Sequence, residues 1–297
     1  MTYKVIANPV AGRGRTKAAL PMLKQELDDL KIPYEIYLTK EPGHASSLAA
    51  DAADYEGLIA VGGDGTINEV VCGMPKDKPL CIVPLGTGND LARSLGIPFG
   101  LESLQSIISG KTLSLDLGAE ADGLFVCSVA LGIASEVMIK VNSRRQRRLI
   151  KGPLAILLAI IQTAMTLKPM KLRIQADDKV RELESVLTYV MNTAYTGGGL
   201  FLAPKADPTD GLLDLVIVND IRGIELLKVL PKVYSGTHVN HPKVEFIRAK
   251  NIKIESLEPH PKMCDGEIRG VTPLVASIHT DRLNLYIPNK GDKNEED

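Results

Sequence analysis

No two cysteines of this chain form a CxxC pair. Cys72, Cys81, Cys127 and Cys264 are scattered through apolar surroundings and read as reduced core residues of a cytosolic protein. The five histidines never fall in HExxH spacing, so a zinc-hydrolase reading has no support. An excess of one charge sign is missing too. Lysine and arginine total 35, aspartate and glutamate 36, and the net charge is −1. No global field recruits nucleic acid, and an electrostatic partner must be met by a local patch. The longest apolar stretch, Leu154 to Leu167, is interrupted by Gln162, Thr163 and Thr166 and falls short of the ~20 residues that cross a bilayer. Met1-Thr2-Tyr3-Lys4 leads straight into an apolar strand without a signal-peptide pattern. Repeats and low-complexity segments are lacking, and only Asn289 to Asp297 reads as a polar tail. The expectation is a cytoplasmic globular protein. Its 297 residues, 44% hydrophobic and 24% charged, suffice for about two domains with a core each.

Against these absences one stretch stands out, Leu58-Ile59-Ala60-Val61-Gly62-Gly63-Asp64-Gly65-Thr66-Ile67-Asn68-Glu69. A short apolar run enters it, as a buried parallel strand does. Three glycines around one aspartate follow, then a helix-compatible stretch through Val70 and Val71. Glycines let backbone N–H groups approach an anion, and a helix N-terminus favours negative charge. A phosphate is the natural guest. Asp64 would repel it unless Mg²⁺ bridges the two, since that ion prefers carboxylate and phosphate oxygens. A plain strand-to-helix turn that needs glycine is the competing reading.

Taken in order, the chain opens with alternating strands and helices: strands at Tyr3–Ala7, Tyr34–Leu38, Leu58–Val61 and Leu80–Val83, and helices after Thr16, which can cap the first of them, and over Gly43–Ala53. This alternation implies a parallel sheet covered on both faces, whose ligands bind at the carboxyl ends of the strands. All four exits carry suitable chemistry: Asn8 with Gly12 and Gly14, Thr39, Gly62 to Thr66, and Pro84-Leu85-Gly86-Thr87-Gly88-Asn89. Neither of the other glycine loops is a P-loop or a dinucleotide fingerprint, because the spacing GxxxxGK[ST] and the third glycine are both absent. Arg13, Arg15 and Lys17 could neutralise phosphates or form a solvated helix start.

From about Lys111 the pattern turns β-rich, with strand-like segments at 113–119, 124–131, 171–176, 184–192, 213–218, 243–256 and 275–287 and helical interruptions within 135–167 and at 224–234. A second domain, a β-sandwich, is expected, with a linker near Ser109-Gly110. Its two acidic motifs are each ambiguous. Asp207-Pro208-Thr209-Asp210-Gly211-Leu212 could converge on a hard cation or form a turn with Asx hydrogen bonds. Asp265-Gly266-Glu267 could supply a general base and its helper or form an Asp-Gly hairpin turn.

Taken together, Gly62-Gly63-Asp64-Gly65-Thr66 with Asn68 and Glu69, Pro84-Leu85-Gly86-Thr87-Gly88-Asn89-Asp90, Asp207-x-x-Asp210-Gly211 and Asp265-Gly266-Glu267 resemble the diacylglycerol kinase catalytic family, and within it the soluble bacterial lipid kinases. The first motif is shared with NAD kinases and phosphofructokinase-like enzymes; the Gly86-Thr87-Gly88-Asn89 block is the specific one. The resemblance implies an α/β fold: a doubly wound nucleotide-binding domain with a parallel sheet over 1–110, then a β-sandwich domain over 111–280, the tail 281–297 returning to the first, and the active site in the cleft between them. It implies Mg²⁺-dependent transfer of the γ-phosphoryl group of ATP to a lipid hydroxyl. Asn8, Thr39, Gly62, Gly63, Asp64, Gly65, Thr66, Ile67, Asn68, Glu69, Thr87 and Asn89 would bind the nucleotide, with Asp64 holding Mg²⁺ through water. Asp207, Asp210 and the Leu212 carbonyl would hold a structural metal, and Asp265 would be the general base, supported by Glu267. An NAD kinase and a non-catalytic lipid- or nucleotide-binding regulator are the alternatives. The expected partner is a lipid at a membrane surface, with no nucleic acid and with homodimerisation open. Five cations within Ser143–Lys151, followed by Leu154, Ile156, Leu157, Leu158, Ile160 and Ile161, suit transient contact with an anionic membrane or a basic turn before a core helix.

Overall fold

A computed structural model describes residues 2–142, 153–166, 168–221 and 223–289. The chain divides into two compact units. One runs through Asp116 and takes in the chain again from Thr280; the other is Leu117–His279. The boundary thus lies a few residues beyond the glycine linker, and the last strand re-enters the first unit at Thr280.

In the first unit β1 (Tyr3–Ala7), β2 (Tyr34–Leu38), β3 (Gly57–Gly62) and β4 (Leu80–Pro84) form a parallel sheet in the order β4-β3-β1-β2. Strands β1, β3 and β4 are buried throughout, as near-continuous apolar runs require in a sheet covered on both faces. Helices α1 (Arg15–Asp29), α2 (His44–Ala50), α3 (Asp64–Gly73), α4 (Asp90–Leu95) and α5 (Gln105–Ser109) connect them. Leu23 and Leu27 of α1 are buried on the face its periodicity picks out. Thr16 does not cap α1. The cap position is Gly14, in left-handed conformation, and Thr16 is buried in the first turn. Cys72 is exposed, unlike the three buried cysteines, because it falls on the outer side of α3. Strand β5 (Thr112–Glu120) leads out of this unit, and β15 (Leu274–Tyr286) leads back, Leu285 pairing in parallel with Leu80 of β4. The returning strand is pinned by Arg282, which meets the buried Asp116 carboxylate at 2.8 Å.

The second unit is antiparallel. Its strands are β6 (Gly123–Phe125), β7 (Ser128–Gly132), β8 (Met170–Ala176), β9 (Lys179–Met191), β10 (Leu213–Asn219), β11 (Val244–Ala249), β12 (Asn251–Ser256), β13 (Pro261–Cys264) and β14 (Glu267–Val271). The order runs β14-β13-β7-β9-β8-β12 and on to the first half of β15, with β10 pairing both β9 and β11. The alternation along β9 divides the core: Val190 packs with Leu172, Leu215 and Ile254 on one side. Tyr189 and Met191 face the other, toward α6 (Ile133–Asn142), α7 (Pro153–Met165) and α8 (Gly223–Tyr234). The expected sandwich is therefore present, with helices laid over one of its layers.

Candidate active site

Three loops of the first unit cross at the carboxyl ends of β1, β3 and β4. Their main chains touch. A Cβ on Gly86 would lie 2.3 Å from the Cα of Gly63, and one on Gly12, whose φ is +58°, would lie 2.0 Å from the Leu85 carbonyl oxygen. Only glycine tolerates such approach. The Leu85 and Gly86 amides donate to the Gly62 carbonyl at 2.7 and 3.0 Å. Asn8 Nδ2 donates to Thr66 Oγ1 at 3.0 Å, and the Arg15 guanidinium donates to the Gly86 carbonyl. Arg15 thus ties two loops together. Arg13 and Lys17 stay exposed.

Asp64 closes the crossing. Its Oδ2 accepts from the Asn89 amide at 2.7 Å and its Oδ1 from the Asp90 amide at 2.8 Å. The carboxylate therefore caps α4 from a neighbouring loop, where Asn89 itself has a left-handed φ of 56°. Burial pushes the Asp64 carboxyl above its usual range, and these amides oppose the rise. A carboxylate beside amides that suit a phosphate is the hard oxygen donor that Mg²⁺ prefers, so the chemistry of the residues present fits that ion there, held through water. Helix α3 starts on Gly63 with no side-chain cap, and its first amides suit a phosphate.

Asn8, Gly62, Gly63, Asp64, Thr66 and Asn89 are therefore brought together, with Gly65 in the first turn of α3. Thr39 follows β2 at the adjoining exit, its amide on the Ala7 carbonyl at 2.9 Å, and Thr87 is exposed on its loop. Ile67 and Asn68 are buried, beneath the loop rather than on it. Glu69 Oε2 accepts from the Ala45 amide at 3.1 Å. It serves the start of α2, because one residue of helical rotation carries it to that side.

The acidic turn of the second unit does not present a cation site as it stands. Asp207 Oδ1 accepts from the Thr209 amide and hydroxyl, at 3.0 and 2.7 Å. Asp210 Oδ1 accepts from the Leu212 amide at 3.0 Å, and its Oδ2 pairs with the Arg248 guanidinium. Arg248 also lies 3.6 Å from Asp214 Oδ1. Among the described residues no cluster of three or more His, Cys, Asp or Glu side chains could hold a metal. Asp207, Asp210 and Leu212 thus form an Asx-type turn whose charge is answered by an arginine. No motif in the sequence signals that arginine, because it arrives from β11.

Asp265 and Gly266 are the two central residues of the β13–β14 hairpin, with φ of 44° and 85°. Two positive φ values are what a primed two-residue hairpin turn needs, so the Asp-Gly turn reading holds. The same turn fixes the carboxylate. Asp265 Oδ2 accepts from the Val126 amide at 2.7 Å, and Oδ1 from the Cys127 and Ser128 amides, both at 2.9 Å. Burial raises its carboxyl above the usual range while the three amides pull it down. Glu267 is exposed, its Oε2 accepting from Arg269 at 3.1 Å, and the Arg269 charge also acts on Asp265.

The second unit also holds a cavity of 280 Å³. Its wall includes Met138 of α6, Leu187 of β9, Leu226 and Leu230 of α8, and Met263 of β13. Met263 precedes Asp265 by two residues. Among the described residues, apart from His238 and the rings of Tyr189 and Tyr234, the lining is apolar or glycine.

The profile of the Diacylglycerol kinase catalytic domain matches residues 2–119, and that of the YegS C-terminal NAD kinase beta sandwich-like domain matches 127–287. A diacylglycerol kinase of Staphylococcus carnosus is 31% identical over 99% of this chain and 97% of its own length. One of Bacillus subtilis is 32% identical over 91% of each. The chain belongs to the diacylglycerol kinase family. It is an enzyme, a kinase, and its fold agrees. A Bacillus anthracis crystal structure, provisionally described as a diacylglycerol kinase, covers 97% of this chain and 95% of its own with a TM-score of 0.80 at 25% identity. An Archaeoglobus fulgidus NAD kinase solved with ATP shares the kinase's fold alone, with a TM-score of 0.56 at 13% identity over 98% and 95% of the two chains.

Proposed function

We infer that the enzyme transfers the γ-phosphoryl group of ATP to the hydroxyl of a lipid alcohol such as diacylglycerol. The observation that carries this reading is the apolar cavity walled in part by Met263, two residues from Asp265. A pocket of that lining suits a hydrocarbon chain, whereas a dinucleotide needs polar partners for its bases and riboses. The glycine crossing and the uncapped start of α3 suit the phosphates. Mg²⁺, held through water by Asp64, would supply the charge neutralisation that phosphoryl transfer requires. Asp265 accepts the proton of the acceptor hydroxyl, the three amides keeping its carboxylate in one orientation. Glu267 acts through Arg269.

The reading is tested by filling the cavity. Leu226→Trp should raise KM for diacylglycerol in mixed micelles while KM for ATP stays at the wild-type value. An unchanged lipid KM in a folded variant would place the acceptor elsewhere. Membrane contact belongs to the same reading. Among the described residues no helix is long and apolar enough to cross a bilayer, and the acceptor is reached from the surface. The basic cluster 143–151 lies outside the described residues. In α7 behind it, Ala159, Thr163 and Ala164 are buried while Met165 is exposed.

A further inference from the structure

Lys262 of β13 is almost wholly buried, with its side chain 4% exposed, and nothing in the phosphoryl-transfer scheme uses it. Its Nζ lies 2.5 Å from Glu120 Oε1 and 2.8 Å from Asp122 Oδ2. Burial alone would push its ammonium down; the two carboxylates outweigh that and hold it above its ordinary value. A buried lysine is costly unless its charge is answered, and a leucine would fill the same strand position without that cost. The position of the triad suggests what it does.

Glu120 and Asp122 sit at the β5–β6 hairpin, where Glu120 pairs with Gly123, and Glu120 Oε2 also accepts from the Asp122 amide at 3.0 Å. A few residues on, the same segment presents the Val126, Cys127 and Ser128 amides to the Asp265 carboxylate. The segment 120–128 is thus fastened to the β13–β14 hairpin at two points three residues apart in the chain, Lys262 on β13 and Asp265 in the turn that follows it. Arg269 adds a third tie, Nη1 to the Leu124 carbonyl at 3.4 Å. The backbone makes room for the triad. The β13–β14 register shifts between Pro261 and Met263, opposite Gly270, whose φ is 62°. A Cβ there would stand 2.7 Å from Asp122 Oδ2 and 3.5 Å from Lys262 Cε.

We propose that Lys262 is a positioning residue for the phosphoryl-transfer reaction: through Glu120 and Asp122 it locks the segment 120–128, and with it the amide cage that orients the Asp265 carboxylate. This inference rests on the reading of Asp265 as the base. Loosening the cage withdraws amides that favour the ionised carboxylate, so the carboxyl pKa rises and the acid limb of turnover moves to higher pH.

The test uses ATP, Mg²⁺ and diacylglycerol in mixed micelles, with kcat, both KM values and the pH profile measured for Lys262→Met, Lys262→Arg, Asp122→Asn and Asp265→Asn. Lys262→Met is expected to lower kcat roughly ten- to a hundredfold, as small displacements of a reacting group do. KM for ATP should stay unchanged and the acid limb should shift upward. Lys262→Arg should recover most of the turnover and the wild-type limb. Lys262→Met leaves Glu120 buried and unanswered, so if that variant fails to fold, Asp122→Asn decides. Its side chain is 46% exposed, and it should show a smaller loss with a shift in the same direction. A folded Lys262→Met, or in its place Asp122→Asn, with wild-type kcat and pH profile overturns the inference. If Asp265→Asn is inactive in that case, only the positioning role fails; if Asp265→Asn turns over normally, the reading of Asp265 fails and the inference with it.

Discussion

Asp64 and Asp265 share one device. Each is a half-buried carboxylate at a glycine turn, gripped by main-chain amides of another segment. Such a carboxylate cannot be neutralised without a structural effect. Asp64→Asn should abolish most turnover and also destabilise, by about 1–3 kcal/mol, because one amide at the start of α4 loses its acceptor; chemical denaturation read beside activity checks this. Asp265→Asn should lower kcat roughly 10²–10⁴-fold, the span of general acid–base catalysis, with ATP affinity intact. Burial holds the Asp265 carboxyl above the ordinary carboxylate range. Below its pKa the carboxyl carries a proton and cannot accept another. The acid limb of kcat against pH therefore lies above that ordinary range in the wild type, and a limb at or below it would contradict the role. At this scale the chemically expressive residues were legible. Asp64, Asp265 and the glycines were singled out because their types and spacing imply chemistry. Lys262, Glu120 and Arg248 were not, since a lone charge in a strand says nothing about a partner that lies 38 residues away, as for Arg248 and Asp210, or 142 away, as for Lys262 and Glu120.

The strand–helix alternation and the β-rich second half could be read from hydrophobic period, and the Asp265-Gly266 hairpin from its turn residues. Departures arose where tertiary contacts decide. The start of α1 is set by left-handed Gly14 and not by Thr16. Gly86 was legible as a loop glycine, but its real constraint is the main chain of Gly63. Gly86→Ala should therefore cost about 1–3 kcal/mol as overpacking does and weaken ATP binding; titration calorimetry on the folded variant checks it, and wild-type affinity would show that the crossing does not shape the phosphate site. The acidic turn makes a complementary case. Asp210→Ala removes an exposed partner of Arg248 and an Asx hydrogen bond, and should lower stability by roughly 1 kcal/mol. The shift of melting temperature on adding Mg²⁺ should be equal in wild type and variant. A shift lost in the variant would restore the metal reading of this turn.

For the molecule as a whole, the division into an α/β unit and a β-rich unit was legible from the change of pattern near Lys111. The boundary at Asp116 and Leu117 was not, because β5 carries one continuous strand across it. Nor does the chain spell out the acceptor. An apolar cavity is assembled from five or more elements and leaves no motif in any of them. The surface step can be approached directly: vesicles rich in anionic lipid should bind the protein at low salt and release it as salt rises. Gln at Arg144, Arg145, Arg147 and Arg148 should weaken that binding without changing ATP affinity, and equal binding by both proteins would move the membrane contact elsewhere. The central claim is the identity of the acceptor class. Wild-type enzyme and Asp265→Asn, each incubated with ATP labelled in the γ-phosphate, Mg²⁺, and either a panel of lipid alcohols in mixed micelles or NAD, followed by mass analysis, tests it most directly. The account predicts a labelled lipid phosphate from the wild type, far less from the variant, and no labelled dinucleotide. Labelled NADP, or no lipid phosphate from any alcohol in the panel, would contradict it.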